Sequence, residues 1–294
     1  MIGRLGLVGC GLIGGSFALA LKRGGLVHRV VGCSESGLAT DEALRLGIID
    51  EAASTPGEAA IGADLVLVAV PVSATEDVLR ALRDAIAPGT WVMDVGSTKR
   101  DVVDAARRAL RERAGSFVAA HPIAGKEAAG AVHAEATLFV GRRVILTPTP
   151  QTSPELLQRA SEVWTAVGAV VEQMTPEDHD AAFAAVSHLP HLLAFAYLNA
   201  IVGQPAGADF LALAGPGFRD FTRIAAGDPA LWRDVFAANR EELLKQSMRF
   251  RQALEALEHV IRSEDAESLE GLIRSASSAR SNWQITAVKR PRGD

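Results

Sequence analysis

The segment Gly9-Cys10-Gly11-Leu12-Ile13-Gly14 limits the possible folds of this chain more than any other. It follows the apolar run Leu5 to Val8 and precedes the helical pattern Ser16 to Lys22. In such a strand-turn-helix unit, the first glycine permits the tight turn and the second lets the backbone approach a pyrophosphate. The third lets the helix pack on the strand. The segment predicts a dinucleotide site, although the same glycines could form a turn without a ligand. The predicted contacts are Gly9, Gly11, Leu12, Ile13 and Gly14.

Short β-rich runs alternate with helical patterns as far as about residue 173. The runs are Leu5 to Val8, Val30 to Cys33, Leu65 to Val70, Trp91 to Val95, Phe117 to Ala120, Val144 to Thr147 and Ala169 to Glu172. This alternation predicts βαβ units and a mostly parallel sheet of the Rossmann type. Leu65 to Val70 has no polar face, which predicts a central strand covered on both sides. Val70 and Pro71, at its end, are further predicted cofactor contacts.

Beyond about Thr175 the β-branched runs give way to long helical patterns. Pro176, Pro190 and Pro229 stand where first turns of helices are predicted, because a first turn does not need the missing amide hydrogen. From Asn239 to Ile261, apolar residues recur at a spacing of three or four, which predicts a helix with an apolar face. We therefore predict a dinucleotide-binding α/β domain over residues 1–173 and an all-α domain over residues 174–294. The all-α domain is expected to bind substrate and to form a homodimer, and its charged end, residues 289–294, is expected to fray.

Composition narrows the class of protein. A chain of 294 residues that is 48% hydrophobic can form two ordinary cores. A net charge of -5 argues against nucleic-acid binding. The N-terminus lacks the order of regions found in a signal peptide, and no run of about 20 uninterrupted apolar residues predicts a membrane span. Cys10 and Cys33 indicate reduced packing residues. We expect a cytoplasmic protein that binds neither nucleic acid nor a membrane.

The end of the second strand bears on the choice of cofactor. An acidic residue about 20 positions beyond the glycines normally binds the adenine ribose of NAD. Ser34 stands at that position and Glu35 follows it. Serine tolerates the 2′-phosphate of NADP, but no Arg or Lys lies between Val30 and Thr40, and Glu35 would repel a phosphate. Both NAD and NADP remain open, with NAD favoured.

Two polar side chains follow later strands, at the sheet edge where α/β proteins bind ligands. Ser97 either caps a helix from Lys99 to Arg113, contributes to a site, or does both. His121 ends the next strand, and Pro122 and Gly125 direct its backbone. An imidazole, with an ordinary pKa of about 6.5, can accept a proton from a substrate hydroxyl at neutral pH. Taken alone, His121 is equally compatible with a structural role; Ser97 could orient its ring.

The helical half carries further candidates. Ser187-His188-Leu189-Pro190-His191 predicts two histidines at a helix start. Arg219 and Arg223 lie four residues apart, on one helical face without paired acids, which suggests recognition of a carboxylate. The alternative is a solvated face with Asp220 or Asp228 as partner. No metal site is predicted, because His179, His188 and His191 lack further ligands at the required spacing.

Together these motifs resemble the prephenate/arogenate dehydrogenase family of tyrosine biosynthesis. They occur in the order found in that family and span most of the chain. The matching segments are Gly9 to Ser16, Asp94 to Lys99, His121 to Gly130, His179-Asp180, Ser187 to His191 and Gly217 to Ala225.

The resemblance implies oxidative decarboxylation of prephenate to 4-hydroxyphenylpyruvate, with hydride transfer to NAD or NADP. By the same resemblance, His121 would deprotonate the ring hydroxyl and Ser97 would align His121 and the nicotinamide. Arg223 would bind a substrate carboxylate, with His191 and Arg219 in support. Lys126 departs from the family pattern, and a cation there would favour prephenate slightly.

Three alternatives remain open. The first is an arogenate dehydrogenase, or a cyclohexadienyl dehydrogenase with dual specificity, that yields tyrosine directly. The second is a β-hydroxyacid dehydrogenase with a lysine base, but Lys245 lacks the glycine-rich surroundings that such a base would have. The third is a dinucleotide-sensing module without chemistry.

Overall fold

A computed structural model of the chain describes residues 1–126 and 128–283. Glu127, which belongs to the His121 motif, and the charged end at residues 289–294 lie outside the described residues. The last described strand ends at Gln173, and the described chain after it is helical. The predicted Rossmann-type α/β domain followed by a helical domain is confirmed.

Six strands form one parallel sheet in the order β3-β2-β1-β4-β5-β6. Three more form a second sheet in the order β7-β8-β9. The strand that was predicted to be central, β4, lies between β1 and β5 and is fully buried. The strands are β1 Ile2–Val8, β2 Val27–Cys33, β3 Glu51–Ala52, β4 Leu65–Val68, β5 Trp91–Asp94, β6 Phe117–Val118, β7 Ala120–Pro122, β8 Arg143–Leu146 and β9 Val170–Gln173.

Helices cover both faces of the large sheet and build the second half of the chain. In the first half they are α1 Leu12–Arg23, α2 Gly37–Arg45, α3 Pro56–Ala60, α4 Thr75–Leu82, α5 Arg100–Leu110 and α6 Pro154–Ala166. In the second half they are α7 Pro176–Phe183, α8 Leu189–Val202, α9 Gly207–Ala212, α10 Pro216–Thr222, α11 Pro229–Ala238, α12 Arg240–Arg262 and α13 Ala266–Asn282.

The predicted mostly parallel sheet is confirmed, but the strands after Val118 form a second, small sheet. The run Phe117 to Ala120 is divided, because Val118 pairs with Met93 in the large sheet whereas Ala120 pairs with Leu146 in the small one. The small sheet joins β7 to β8 antiparallel and β8 to β9 parallel. His121 is consequently the middle residue of β7, opposite Ile145, and Pro122 ends that strand. The pairing partner decides such a division, and local sequence does not encode it.

Aromatic packing joins the two sheets of the first domain. Trp164 of α6 is fully buried and contacts Phe17 of α1 and Phe139, at ring-centroid distances of 4.8 and 5.2 Å. Burial of each such side chain contributes about 1.5–3 kcal/mol to stability. This cluster fixes α1, and with it the glycine turn, against the sheets.

The predicted helix start at Ser187 to His191 is confirmed in part, because α8 begins at Leu189 with Pro190 in its first turn, but no break separates α8 from α7. The chain is helical from Pro176 to Val202 and winds through a π-helical turn at Ala184–His188. Pro190 follows that turn inside the continuous helix, where it cannot donate a backbone hydrogen bond. A π turn is a known way of accommodating such a break, and it often marks a functional site.

That same stretch, Pro176–Val202, is the one described helical segment whose length and composition would allow it to cross a membrane. One such helix is weak evidence for a membrane protein. His179, Asp180 and His188, which lie on it, are fully buried in this structure.

The apolar face predicted between Asn239 and Ile261 lies on α12, but only Leu243 among its residues is buried. Leu254 is 43% exposed and Ile261 is 58% exposed. The face therefore does not belong to the core of a single chain.

We expect Gly9→Ala to reduce the free energy of unfolding by about 2–4 kcal/mol. Gly9 has φ +95°, and a Cβ there would lie 2.2 Å from the carbonyl oxygen of Ala69. Gly11→Ala is the matched control, because a Cβ at Gly11 has nothing within 4 Å, and its effect should stay within about 1 kcal/mol. Urea denaturation measures both values. Equal losses would contradict the steric account.

Candidate active site

His121 joins the two halves of the molecule. Its ring is partly exposed, and its Nδ1 lies 2.8 Å from Nε2 of His179 on α7. Phe183 packs against both rings, with centroid distances of 4.9 Å to His121 and 4.5 Å to His179. The imidazole of His121 is thus held by a histidine and an aromatic ring from the helical half.

The contacts continue from His179 into the first domain. His179 Nδ1 lies 2.8 Å from Oδ1 of Asp180. The carboxylate of Asp180 accepts hydrogen bonds from the backbone amides of Lys99, at 2.8 Å, and Arg100, at 3.0 Å. These amides begin α5, so a residue of the helical half caps this helix of the α/β half. The prediction that Ser97 caps the helix is wrong, and the helix is shorter than predicted.

A buried ion pair lies beneath this interface. Lys99 Nζ contacts Asp94 Oδ2 at 2.5 Å and donates to the carbonyl oxygen of Ala120 at 2.7 Å. Asp94 also accepts from the backbone amides of Gly96 and Ala120. Since both side chains are almost wholly buried, breaking the pair would leave an uncompensated charge. The pair ties the end of β5, the loop that carries Ser97, and the strand of His121.

Burial sets the charge states of the histidines. Burial is the main cause that holds the pKa of His121 well below 6.5, and electrostatic repulsion between protonated His121 and His179, Lys99 and His188 lowers it further. Burial likewise lowers the pKa of His179, although Asp180 opposes the shift. It also lowers the pKa of His188 to about 4. These imidazoles are neutral at neutral pH, so His121 is able to accept a proton.

The carboxyl of Asp180 behaves differently. Burial alone would raise its pKa, but hydrogen bonds from His179 and from the amides of Arg100 and Lys99 lower the pKa below its ordinary value. Asp180 is therefore a buried, ionised carboxylate with several donors around it.

Ser97 lies half-buried in the loop between β5 and α5. Within residues 1–126 and 128–283, no hydrogen bond joins Ser97 to His121. The hypothesis that Ser97 orients the ring is wrong for this structure, because His179 occupies the Nδ1 side. Sequence reasoning could not identify His179 as the partner, since the two histidines are 58 residues apart.

The helical-half candidates are only partly brought together. His191 on α8 stacks on Trp232, with ring centroids 3.5 Å apart, and its Nδ1 bonds the carbonyl oxygen of Ser187. Arg223 is exposed and begins the 3₁₀ turn Arg223–Ala226, which packs against α8. Arg219 lies on α10, is 77% exposed and pairs with Asp220 at 3.3 Å. The expectation that both guanidiniums share one helical face without paired acids is therefore wrong, because α10 ends at Thr222 and Asp220 accepts from Arg219.

Lys126 does not present an unpaired cation. Its Nζ contacts Oε1 of Glu135 at 2.5 Å. The backbone amide of Glu135 in turn donates to the hydroxyl of Ser16 on α1. Lys126 is thereby held beside the first helix of the nucleotide-binding half.

The glycine turn has the form of a cofactor cradle. α1 begins at Leu12, and no side chain caps it at Gly11. The first amides of the helix, including those of Leu12 and Ile13, have no intrahelical acceptor and favour an anion. A side chain at Gly11 would occupy open space, whereas one at Gly14 would lie 2.2 Å from the carbonyl oxygen of Gly9. The turn therefore leaves room for a pyrophosphate at the helix N-terminus.

The other predicted cofactor residues border this turn. The hydroxyl of Ser34 accepts from the backbone amide of Cys10 at 3.0 Å, which ties the end of β2 to the glycine turn. Glu35 is exposed next to it. Val70 and Pro71 follow β4, which ends at Val68 rather than at Val70 as predicted. Val70 packs beside Gly9.

No group of three or more potential metal ligands gathers in the part of the chain that the structure describes. The histidines once considered as ligands have other partners. His179 contacts Asp180 and His121, and His188 contacts Nδ2 of Asn239, which also donates to the carbonyl oxygen of Asp180.

A glycine-turn cradle at one end of a parallel sheet, with a neutral imidazole at the junction with a helical domain, defines a dinucleotide-dependent dehydrogenase. The family model described as the nucleotide-binding domain of prephenate dehydrogenase matches residues 17–173. The model described as its dimerization domain matches residues 175–275. The chain belongs to the prephenate dehydrogenase family.

Individual relatives agree with this assignment. The prephenate dehydrogenase of Bacillus subtilis is 34% identical over 280 residues, which is 93% of this chain and 74% of that protein. The cyclohexadienyl dehydrogenase of Zymomonas mobilis is 31% identical and covers 94% of each chain. The crystal structure of prephenate dehydrogenase from Aquifex aeolicus with hydroxyphenyl propionate and NAD⁺ is 35% identical. It superimposes with a TM-score of 0.89 over 96% of this chain and 98% of that one.

Because the pKa values of the buried histidines are lowered in the folded chain, we expect the protein to be less stable in acid. His188 has a pKa of about 4 in the folded chain and about 6.5 when unfolded, so the unfolded state binds more protons between these values. We expect the contribution of His188 to the free energy of unfolding to fall by about 2–3 kcal/mol from pH 7 to pH 4.5. His121 and His179 should add losses of the same sign. Urea denaturation at several pH values should show that the free energy of unfolding of His188→Gln falls less over the same pH range. His28→Gln, at an exposed position, is the control, and an unchanged fall in His188→Gln would contradict the account.

Proposed function

We propose that the chain catalyses the oxidative decarboxylation of prephenate to 4-hydroxyphenylpyruvate, with hydride transfer to NAD. The observation that carries this proposal is the neutral imidazole of His121, which is anchored through Nδ1 and leaves Nε2 without a hydrogen-bond partner among the described residues. A base in this state can take the proton of a ring hydroxyl as hydride leaves the same carbon.

The residues of the glycine turn would hold the cofactor. The amides of Leu12 and Ile13 at the start of α1 would bind its pyrophosphate, and Gly11 would permit the close approach. Val70, Pro71, Ser34 and Glu35 border the same cradle. When bound, the nicotinamide supplies the hydride acceptor.

The proton and the electrons balance within one turnover. His121 takes the proton from the 4-hydroxyl of the substrate as the hydride departs from C4. The bond to the ring carboxylate then breaks, carbon dioxide leaves, and its electron pair completes the aromatic ring. The resulting phenolate takes the proton back from His121. Aromatisation supplies much of the driving force, so the residues mainly position the reactants and stabilise developing charge.

The substrate would be held from the helical half. We assign the binding of a substrate carboxylate to Arg223, since a guanidinium makes bidentate contacts with carboxylates. His191, braced by Trp232, supports the same region through α8, against which the turn of Arg223 packs. We assign Ser97, in the loop between β5 and α5, to the alignment of the nicotinamide. Arg219 is not assigned a direct substrate contact, because it is exposed and paired with Asp220.

NAD is preferred to NADP in this proposal. The slot at the end of β2 holds Ser34, whose hydroxyl is engaged by the glycine turn, and the exposed carboxylate of Glu35. A 2′-phosphate there would meet a negative charge. The Aquifex relative was crystallised with NAD⁺, which agrees with this preference.

Arogenate, or both substrates, is the alternative. The Zymomonas relative is a cyclohexadienyl dehydrogenase. Lys126 no longer argues for prephenate as an additional cation, because Glu135 neutralises it. Formation of reduced cofactor with prephenate and arogenate, each with NAD and NADP, separates these possibilities. Activity greatest with prephenate and NAD is expected. Absence of turnover in all four pairings, from folded chain that binds dinucleotide, would instead favour the sensing module.

Two variants test the assigned roles. His121→Asn should lower kcat by about 10²–10⁴-fold with little change in substrate affinity, because it removes the base but not the pocket. Arg223→Ala should chiefly raise KM, because it removes a contact present in both ground and transition states. Steady-state kinetics measure both. An unchanged kcat for the first, or an unchanged KM for the second, would remove the residue from its role.

We also propose that the chain forms a homodimer through its helical half and works in the cytoplasm. The family's dimerization domain matches residues 175–275, and the apolar face of α12 is uncovered in one chain. A second copy of that face would cover it. Cys10 and Cys33 are both buried thiols, and burial raises the pKa of Cys33 to about 12, in keeping with a reducing compartment. Nucleic acid and membranes have no part in the proposed activity.

Leu254→Glu should convert the dimer to a monomer, because two carboxylates would be buried in the apolar contact. Light scattering should show half the mass of the unmodified protein. Ile61→Glu, at an apolar residue of the nucleotide-binding half that is 60% exposed, is the matched control and should leave the mass unchanged. A dimer of undiminished stability in Leu254→Glu would place the interface elsewhere.

A further inference from the structure

We infer that His179 and Asp180 are positioning residues that fix the tautomer of His121, so that its Nε2 is the proton acceptor. The inference rests on the proposed role of His121 and deepens it. It is carried by an unbroken line of hydrogen bonds from the amides of α5 to the imidazole of His121.

The direction of this line is set at Asp180. Its two oxygens accept from the backbone amides of Lys99 and Arg100, which can only donate. Its pKa lies below the ordinary value, so the group is an ionised carboxylate and has no proton to offer. The 2.8 Å contact between Asp180 Oδ1 and His179 Nδ1 therefore requires the proton on Nδ1 of His179.

The second step follows from the neutrality of His179. A neutral imidazole carries one ring proton, so Nε2 of His179 is an acceptor. Nδ1 of His121 lies 2.8 Å from that nitrogen and must carry the proton that joins them. His121 has one ring proton as well, which leaves the lone pair on its Nε2. Its Nε2 is the nitrogen that a substrate hydroxyl needs.

Packing prevents the alternative arrangement. A flip of the His121 ring would bring a carbon against Nε2 of His179 and break the hydrogen bond between the two rings. Phe183 lies against both imidazoles and restricts such a rotation. Lys99, whose charge lowers the pKa of both histidines, opposes protonation before substrate arrives.

The same line of contacts stabilises the charged state once it forms. When Nε2 takes a proton, the imidazolium of His121 already donates through Nδ1 to His179, and the carboxylate of Asp180 lies behind it. No proton needs to move along the line. Because His179 and Asp180 belong to α7 whereas His121 belongs to the α/β half, docking of the two domains sets the state of the base.

The test compares four variants by kcat, KM, their pH profiles and thermal midpoint. In Asp180→Asn, only one side-chain atom can accept, so one of the amides of Lys99 and Arg100 loses its acceptor. An amide nitrogen in the place of Oδ1 would donate to His179 Nδ1, while the amide oxygen accepts from Arg100. The line would then run in reverse and place a proton on His121 Nε2. We expect kcat to fall by about 10³–10⁴-fold, the effect of a wrong tautomer in a comparable triad, with KM within about threefold. Asp178→Asn, an exposed carboxylate on the same helix, is the matched control and should leave kcat unchanged.

The two variants of His179 differ in whether they provide a hydrogen-bond acceptor for His121 Nδ1–H. His179→Leu has no acceptor for His121 Nδ1–H, whereas the amide oxygen of His179→Gln can accept it. The Leu variant should lose at least about tenfold more kcat than the Gln variant, since general-base catalysis depends on the available lone pair. The acid limb of the pH profile of kcat should also shift in the Leu variant. Equal losses in the two variants, with unchanged pH profiles, would overturn the inference in favour of a merely structural role.

A direct measurement does not depend on activity or on the folding of the Asp180 variant. ¹⁵N shifts of histidine-labelled protein distinguish protonated from unprotonated ring nitrogens, and subtraction of the His121→Asn spectrum assigns His121. Protonated Nδ1 and unprotonated Nε2 are expected in the unmodified chain at pH 7. A proton on Nε2 would overturn the inference even if prephenate is turned over. The expected tautomer without turnover would refute the proposed function alone.

Discussion

The carboxylate of Asp180 is the contact on which the rest of the site depends. It comes from the helical half, yet it caps α5 of the nucleotide-binding half and bonds His179, which bonds His121. One ionised side chain therefore joins the domains, caps the N-terminus of a helix in the other domain and fixes the position of the base. Its burial would be costly without donors, and the two amides and the imidazole supply them.

A second buried charge supports the opposite side of the interface. Lys99 and Asp94 neutralise each other under the strand of His121, and their hydrogen bonds hold Gly96 and Ala120. The cation also favours neutral imidazoles above it. A nucleotide-dependent dehydrogenase needs such a base to be unprotonated and immobile before hydride transfer. Burial, Lys99 and Phe183 together produce that state without a metal ion in the proposed mechanism.

Much of this arrangement can be predicted from local patterns. The glycine turn is recognisable because steric demands on Gly9 and Gly14 act between neighbours in sequence. The parallel sheet is predicted by β-rich runs that alternate with helical patterns. The helical half is predicted because such β-rich runs are absent beyond about Thr175. The site was less predictable. His179 was considered as a weak metal ligand and, with Asp180, as one of the segments that match the family, but no role beside His121 was predicted for either residue. Trp232 and Asn239, which brace His191 and His188, had no signal of their own.

The sequence by itself determined the order of the domains and the glycine turn that would hold a dinucleotide, because each depends on interactions within a few residues. It also led to the proposal of His121 as the reactive group. The tertiary structure decided which partners those residues meet. It placed His121 inside a second sheet, replaced Ser97 by His179 beside its ring and paired Lys126 and Arg219 with acids. These outcomes depend on contacts between segments far apart in the chain, whose free energies are set only when the two domains pack together.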